Sequence, residues 1–161
     1  MKVNISRLPD SLRDCTGEVA AQLGFTLDGS GYELIASEGQ ELSVSFDGKT
    51  VSIEYPALNQ FFRGLRLLKQ NFNKKGFSVS ETCSAEELGI MLDCSRNAVR
   101  SVGHVKEIIR NLALMGYNQL QLYTEDTYEV EAEPYFGYMR GRYTVAEMKE
   151  LDDYAFRFGI E

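Results

Sequence analysis

Gly89-Ile90-Met91-Leu92-Asp93-Cys94-Ser95-Arg96-Asn97 is the stretch that sets the fold class of this chain. With Leu88 it opens on a continuous apolar run, which suits a strand buried on both faces. It then passes into polar residues at the strand's carboxyl end. A helical stripe follows, with Val105, Ile108, Ile109, Leu112 and Met115 on one side and Gly116 at the expected stop. Gln119 to Tyr123 reads as a second strand. After a long loop, Thr144 and Glu147 form a capping-box pattern ahead of Val145, Met148, Leu151, Tyr154, Ala155 and Phe158, and Gly159 ends that helix. Ile160 and Glu161 read as the first residues of a third strand. Strand, helix, strand and helix in alternation predict parallel βα units. Two parallel strands cannot cover both of their faces, so the expectation is that residues 87–161 are the first two units of a larger, incomplete barrel.

Residues 1–86 read differently, as a small α+β domain with an antiparallel sheet and helices. Pro9, Asp10 and Ser11 precede a helix carrying Leu12, Cys15, Val19 and Leu23, with Gly24 as its stop. Three strand-like runs follow at Tyr32 to Ala36, Leu42 to Phe46 and Thr50 to Tyr55. The last two are joined through Asp47-Gly48, a strong hairpin signal. Apolar residues alternate with serines and Glu54, which predicts one buried and one wet face. Pro56 then opens a helix whose Leu58, Phe61, Phe62, Leu65, Leu68 and Phe72 recur at helical spacing, so this stripe is expected to pack on the sheet. Phe77 to Thr82 can add one more strand.

The chain has 161 residues, 43% hydrophobic and 25% charged, with a formal net charge of -7. An acidic chain whose lysines and arginines are scattered, apart from Lys74-Lys75, is a poor partner for nucleic acid. No run approaches the roughly 18 apolar residues of a membrane span. The start, Met1-Lys-Val-Asn-Ile-Ser-Arg-Leu-Pro-Asp10, lacks a signal-peptide pattern, so a cytoplasmic location is expected. Cys15, Cys83 and Cys94 are an odd set without metal-ligand spacing and read as buried reduced thiols. His104 stands alone at a helix start, without the co-located groups that a zinc site or a catalytic triad needs. Scattered glycines make no phosphate loop. Neither a cofactor nor a metal is expected.

Two places can carry chemistry. In a βα barrel the carboxyl end of each strand faces the active site. Arg96, just past such an end, offers a planar fork of donors suited to neighbouring sugar hydroxyls. Asp93 can anchor that guanidinium or bind a ligand itself. The competing reading is an ordinary solvated or structurally paired arginine. The second place is the loop from Thr124 to Tyr143, longer than usual βα connections. It brings Tyr128, Tyr135, Phe136, Tyr138 and Tyr143 together with Glu125, Asp126, Glu129, Glu131, Glu133, Arg140 and Arg142. Aromatic faces beside carboxylates suit a carbohydrate. A loop that packs its own aromatics and solvates its acids is the alternative.

The stretch Gly89-Ile-Met-Leu-Asp-Cys-Ser-Arg96 resembles the first barrel strand of family-20 glycoside hydrolases, the β-N-acetylhexosaminidases, usually written Gly, three apolar residues, Asp-x-x-Arg. The strand ending Gln119-Leu-Gln-Leu-Tyr123 fits the same register. The loop through Thr124-Glu-Asp-Thr-Tyr-Glu-Val130, Pro134-Tyr-Phe-Gly-Tyr138 and Arg140-Gly-Arg-Tyr143 is similar to a streptococcal-type branch of that family. The hairpin and the helix around Leu58-Asn-Gln-Phe-Phe-Arg-Gly-Leu65 resemble the α+β domain that precedes the barrel. This resemblance implies removal of terminal β-linked N-acetylglucosamine or N-acetylgalactosamine with retention, the substrate's own acetamido oxygen attacking the anomeric carbon. An Asp-Glu pair after the fourth barrel strand, in a His-x-Gly-Gly-Asp-Glu setting, would position the acetamido group and serve as acid and base. These 161 residues hold no Asp-Glu dipeptide. Of the family's site residues only Arg96 carries over, as a contact to the terminal sugar's hydroxyls. Asp93 is a weaker candidate, and so are Glu125, Asp126 and Tyr128, because many relatives have a His-rich run and a Trp after the second strand where these last three stand.

The rival to a glycosidase piece, inactive by itself, is a non-enzymatic glycan-binding or interaction domain with the aromatic loop as its surface. A different βα-barrel hydrolase acting on N-acetylated sugars is a second rival. Open strand edges lead us to expect self-association of the 161-residue chain, and a homodimer is compatible with a longer parent.

Overall fold

The computed structural model describes residues 1–73, 75–96 and 98–161; Lys74 and Asn97, both named above, lie outside the described residues. The first sheet is built from β1 (Lys2–Asn4), β2 (Thr26–Leu27), β3 (Tyr32–Glu38), β4 (Leu42–Phe46), β5 (Thr50–Tyr55) and β6 (Phe77–Glu81), in the order β2-β1-β3-β5-β4-β6. Helix α1 (Asp10–Leu23) connects β1 to β2, and α2 (Leu58–Asn71) connects β5 to β6. The second sheet pairs β7 (Gly89–Asp93) with β8 (Gln119–Tyr123), linked by α3 (Val102–Met115), and α4 (Val145–Phe156) follows β8.

The first sheet is mixed, which corrects the antiparallel expectation. β4 pairs antiparallel with β5 and β6, but β1–β2, β1–β3 and β3–β5 are parallel. Two causes act. Helix α1 is a crossover connection, which returns the chain parallel to where it left. Residues 39–41 then step over β5: Glu38 is level with Tyr55 in one direction, and Ser43 with Glu54 in the other. Two strand spacings amount to about 9.6 Å, and four residue steps reach about 13 Å, so three linking residues suffice. Strands β1 and β2 escape periodicity because they are only three and two residues long, and both residues of β2 are exposed.

Other expectations hold closely. Gly24 ends α1 in a left-handed conformation. At the β4–β5 hairpin, Asp47 accepts hydrogen bonds from the Lys49 and Thr50 amides at 2.8 and 2.7 Å. Val44, Phe46, Val51 and Ile53 are buried on the face that α2 covers, and Phe61, Phe62, Leu65 and Leu68 of α2 are fully buried. Each such side chain contributes about 1.5–3 kcal/mol by leaving water. Arg63 of α2 grips Glu81 of β6 with two bonds of 2.8 and 2.7 Å, tying down the edge strand.

Helix α2 also faces away from its sheet, toward α3. Phe62 packs on Phe158 with ring centroids 4.8 Å apart. The buried Asn59 amide donates to the Gly116 carbonyl at 2.8 Å, satisfying the end of α3. On α1, Glu18 accepts from Arg157 at 2.8 Å and from the Tyr154 hydroxyl. One continuous cluster of buried residues therefore runs from Val3 to Ile160 and serves both sheets.

The second sheet corrects the picture of β7 as buried on both faces. Ile90, Leu120 and Leu122 are partly buried against the core that includes α3 and α4, while Met91 on the other face is 55% exposed. A two-stranded sheet with helices on one side leaves its second face bare. Glu161 adds the expected start of a third strand: its amide donates to Asn118 O at 2.9 Å and its carbonyl accepts from Leu120 N at 2.7 Å. Bonds to residues on either side of one partner are a parallel ladder pattern. The Thr144–Glu147 capping box is formed in both directions. Met115 and Val145 depart from their stripes, being 52% and 62% exposed; Ala113 and Leu114 are buried at the end of α3 instead. Cys15 and Cys94 are buried as expected, but Cys83 is exposed in the turn after β6.

A shared core predicts one cooperative transition. Denaturant unfolding followed by far-UV circular dichroism and by tyrosine fluorescence should coincide. Phe62→Ala should lower the unfolding free energy by about 3–5 kcal/mol while keeping a single transition. Two separate transitions would contradict the shared core. Gly159 has φ 69°, and a Cβ there would sit 2.5 Å from the Asn59 amide nitrogen. Gly159→Ala should accordingly destabilise by more than about 1 kcal/mol in the same assay.

Candidate functional site

The parallel register places Asp93 level with Tyr123, so β7 and β8 end side by side. Side chains alternate along a strand. Ile90 and Leu92 go to the helices, and Asp93 shares the bare face with Met91, Gln121 and Tyr123.

Asp93 organises the turn beyond β7. Its Oδ1 accepts from the Ser95 amide at 2.9 Å, the Ser95 hydroxyl at 2.7 Å and the Arg96 amide at 3.1 Å. Its Oδ2 meets Arg96 Nε at 2.9 Å. The Ser95 hydroxyl and the two amides all favour the ionised carboxylate, and the Arg96 charge adds to them. Together they hold Asp93 down at about 2, against 3.8 ordinarily. The Arg96 guanidinium lies over the Tyr123 ring, 5.6 Å from its centroid, a cation–π arrangement. Its side chain is otherwise open, 72% exposed, at the carboxyl ends of both strands. Tyr123 Oη donates to Glu125 Oε1 at 2.9 Å, and this bond to a carboxylate raises the phenol's pKa. Glu125 adopts φ 49°, the one left-handed non-glycine backbone among the described residues. Non-glycine residues adopt this region infrequently, and backbone strain concentrates near functional sites.

Of the sequence candidates, Asp93, Arg96 and Glu125 are thus linked, with Tyr123 between the last two. Asp126 stands apart from that group and pairs with Arg140 at 2.6 Å. Arg140 also donates to the Ser95 carbonyl. Tyr128 rests edge-on against Phe136, with centroids 5.5 Å apart, and bridges to Tyr143. Tyr143 is buried; its hydroxyl donates to Arg100 O at 2.7 Å, and burial, with Cys94 nearby, pushes it up to about 12. Tyr135 and Tyr138 are 80% and 62% exposed and contact each other edge-to-face. Part of the loop's aromatic set thus packs internally, as in the alternative reading from sequence, and Tyr135 and Tyr138 are exposed.

Sequence reasoning missed Tyr123 as the platform under Arg96, and Ser95 and Arg140 as its supports. The signal for Tyr123 was available, since two parallel strands of equal length end opposite each other. Nothing in the spacing announces Arg140, which reaches Ser95 across 45 residues. Among the described residues, no group of three His, Cys, Asp or Glu side chains could hold a metal, and no helix is long and apolar enough to cross a membrane.

No family model matches the sequence, and no curated protein matches it. Solved structures do. A family-20 β-N-acetylhexosaminidase from Streptomyces coelicolor superposes with a TM-score of 0.77 at 22% identity, covering 100% of this chain and 40% of that one. A family-20 exo-β-N-acetylglucosaminidase from Vibrio harveyi, in complex with N-acetylglucosamine, gives 0.76 at 19% identity over 99% of this chain and 31% of its own. A mutant Streptomyces plicatus β-hexosaminidase holding its product N-acetylglucosamine gives 0.77 at 21%, over 99% and 40%. At such identities the likeness shows the fold. The chain spans well under half the length of these structures, 31–40%.

Asp93 supplies a pH test. Its folded pKa lies below its unfolded value, so its stabilising effect is complete above about pH 4 and is lost as pH falls toward about 2. Carbon-detected NMR should place the Asp93 midpoint near 2. Asp93→Asn should flatten the acid limb of the stability curve between pH 4 and 2. A midpoint at the ordinary carboxylate value would show that the turn does not form.

Proposed function

We propose that this chain is the amino-terminal part of an exo-acting retaining β-N-acetylhexosaminidase, with Arg96 binding the hydroxyls of a terminal N-acetylglucosamine or N-acetylgalactosamine. In this reading residues 1–86 are the domain that precedes a (β/α)8 barrel, and residues 87–161 supply its first two βα units. The observation that carries it is the placement of Arg96: an open guanidinium at the carboxyl ends of two parallel strands, oriented by Asp93 and backed by Tyr123. Strand carboxyl ends are where such barrels place their sites. The solved structures that share this fold include enzymes named for removing N-acetylhexosamines, two of them holding N-acetylglucosamine.

In the proposed mechanism the chain's own residues bind rather than react. Arg96 presents paired donors to two adjacent hydroxyls, and the ion pair with Asp93 removes the entropy of orienting that fork. The substrate's acetamido oxygen attacks the anomeric carbon. An aspartate steadies the acetamido group, and the adjacent glutamate protonates the leaving oxygen and then activates water. Those two carboxylates belong to a fourth strand outside these 161 residues. A cytoplasmic location, a neutral glycan as partner, and independence of metal and cofactor complete the proposal.

The sequence encoding this chain, followed past Glu161, should contain the Asp-Glu pair. The longer protein should hydrolyse an aryl N-acetyl-β-glucosaminide, whereas the 161-residue chain should show no turnover. In the longer protein Arg96→Ala should lower kcat/KM by about 100-fold or more, through lost charge-assisted bonds. Turnover by the short chain, or indifference to Arg96→Ala, would refute the assignment.

A further inference from the structure

We propose that Arg140 is a positioning residue for Arg96: it pins the long loop after β8 onto the turn after β7, with Asp126 as its counter-charge. The proposal deepens the sugar-binding reading above and rests on it for its functional consequence. Its structural part stands on contacts within this chain.

Ser95 is the joint. It is buried, and its amide and hydroxyl both serve the Asp93 carboxylate that holds Arg96. Its carbonyl accepts from Arg140 Nη2. The other terminal nitrogen of Arg140 holds Asp126 at 2.6 Å. One guanidinium thus ties a carbonyl beside Arg96 to a carboxylate on the facing loop. A guanidinium holds the two partners in fixed, divergent directions; an ammonium has three donors but no such rigid fork. The loop is shaped to bring Arg140 there. Gly137 has φ 64°, and a Cβ on it would lie 1.9 Å from the Asp126 carbonyl oxygen. The chain therefore passes against its own earlier segment where no side chain fits. The Arg140 amide donates to Gly137 O at 3.0 Å, which closes the turn leading into Arg140.

The arrangement assigns Asp126 to holding the loop. It leaves Arg96, Tyr123 and Glu125 to face the ligand. It also orders the loop before any sugar arrives, so the ordering cost is met in folding rather than in binding.

The test has two arms. The first uses the 161-residue chain without sugar. Arg140→Ala should shift or broaden the Arg96 Nε–Hε resonance, and should speed exchange of the Thr127, Glu129 and Tyr143 amides by about tenfold or more. Asp126→Asn and Gly137→Ala should do the same to smaller extents, which covers the case in which Arg140→Ala folds poorly. Arg140→Lys should fall between wild type and Arg140→Ala. An unchanged Arg96 resonance in all three loosened variants would overturn the proposal. The second arm uses the longer protein: Arg140→Ala should raise KM by about tenfold with kcat within a factor of about three, since misplacement of a binding group is felt in substrate capture. An unchanged KM in a variant whose loop has loosened would also overturn it. If the wild-type longer protein fails to cleave N-acetylhexosaminides while the first arm gives the expected shifts, the glycosidase reading falls and the pinning of Arg96 stands.

Discussion

The candidate site depends on one register: β7 and β8 run parallel with Asp93 level with Tyr123. A parallel pair cannot be closed by a tight turn and needs a crossover of a dozen or more residues. Helix α3 fills that requirement, capped at one end by Ser101 and ended at the other by Gly116 in a left-handed conformation. Because the strands emerge level, the residues just past them share one patch. A slip of one residue would send every side chain of β8 to the opposite face. Tyr123 would then turn into the helices and Arg96 would lose its platform.

That register is held from behind. Ile90, Leu120 and Leu122 lean on the core to which α3 and α4 belong, and α3 in turn leans on α2, whose aromatic stripe is anchored in the first sheet. The Asn59 amide on the Gly116 carbonyl, the Phe62–Phe158 contact and the bonds of Arg157 and Tyr154 to Glu18 couple the two sheets. A six-stranded sheet with two helices thus acts as a rigid backing for a two-stranded one that could not stand alone. Sites built on strand ends gain precision from such support, because the side chains that bind inherit the stiffness of what lies beneath them.

Much of this was legible from residue order, for identifiable reasons. Strongly periodic segments such as the α2 stripe, and punctuated ones such as the Thr144–Glu147 box, carry their instructions locally. Asp93 and Arg96 were legible as a pair because a carboxylate and a guanidinium three residues apart at a strand end are within reach of each other; the bonds from Asp93 to the Ser95 and Arg96 amides were not read from sequence. What escaped was non-local. Strands of two and three residues carry no period, so β1 and β2 were invisible; the parallel pairing of β3 with β5 escaped because it is set by residues 39–41 stepping over β5, not by the pattern of either strand. The exposure of Met91 depends on which elements flank the second sheet, which its own apolar run cannot reveal. Arg140 in its sequence context is one more loop cation. Only the fold brings it to Ser95.

The bare face of the second sheet bears on what kind of site this is. Gly89, Met91, Gln119 and Gln121 line it, a mixture of small, flexible and amide side chains rather than a surface of charges. The charged residues lie at the top of the strands and beyond them, at Asp93, the last residue of β7, and at Arg96 and Glu125. In the proposed barrel this layer of apolar and amide side chains would lie beneath the mouth, where lower layers pack and the top layer binds. A protein-binding surface would invert this order, with an apolar centre and a charged rim on one plane. Tyr135 and Tyr138, exposed and edge-to-face with each other, belong to the same loop as Arg140 but not to the pinned turn. For the proposed sugar ligand, the donors that Asp93 fixes on Arg96 are the part of this arrangement that meets hydroxyls directly.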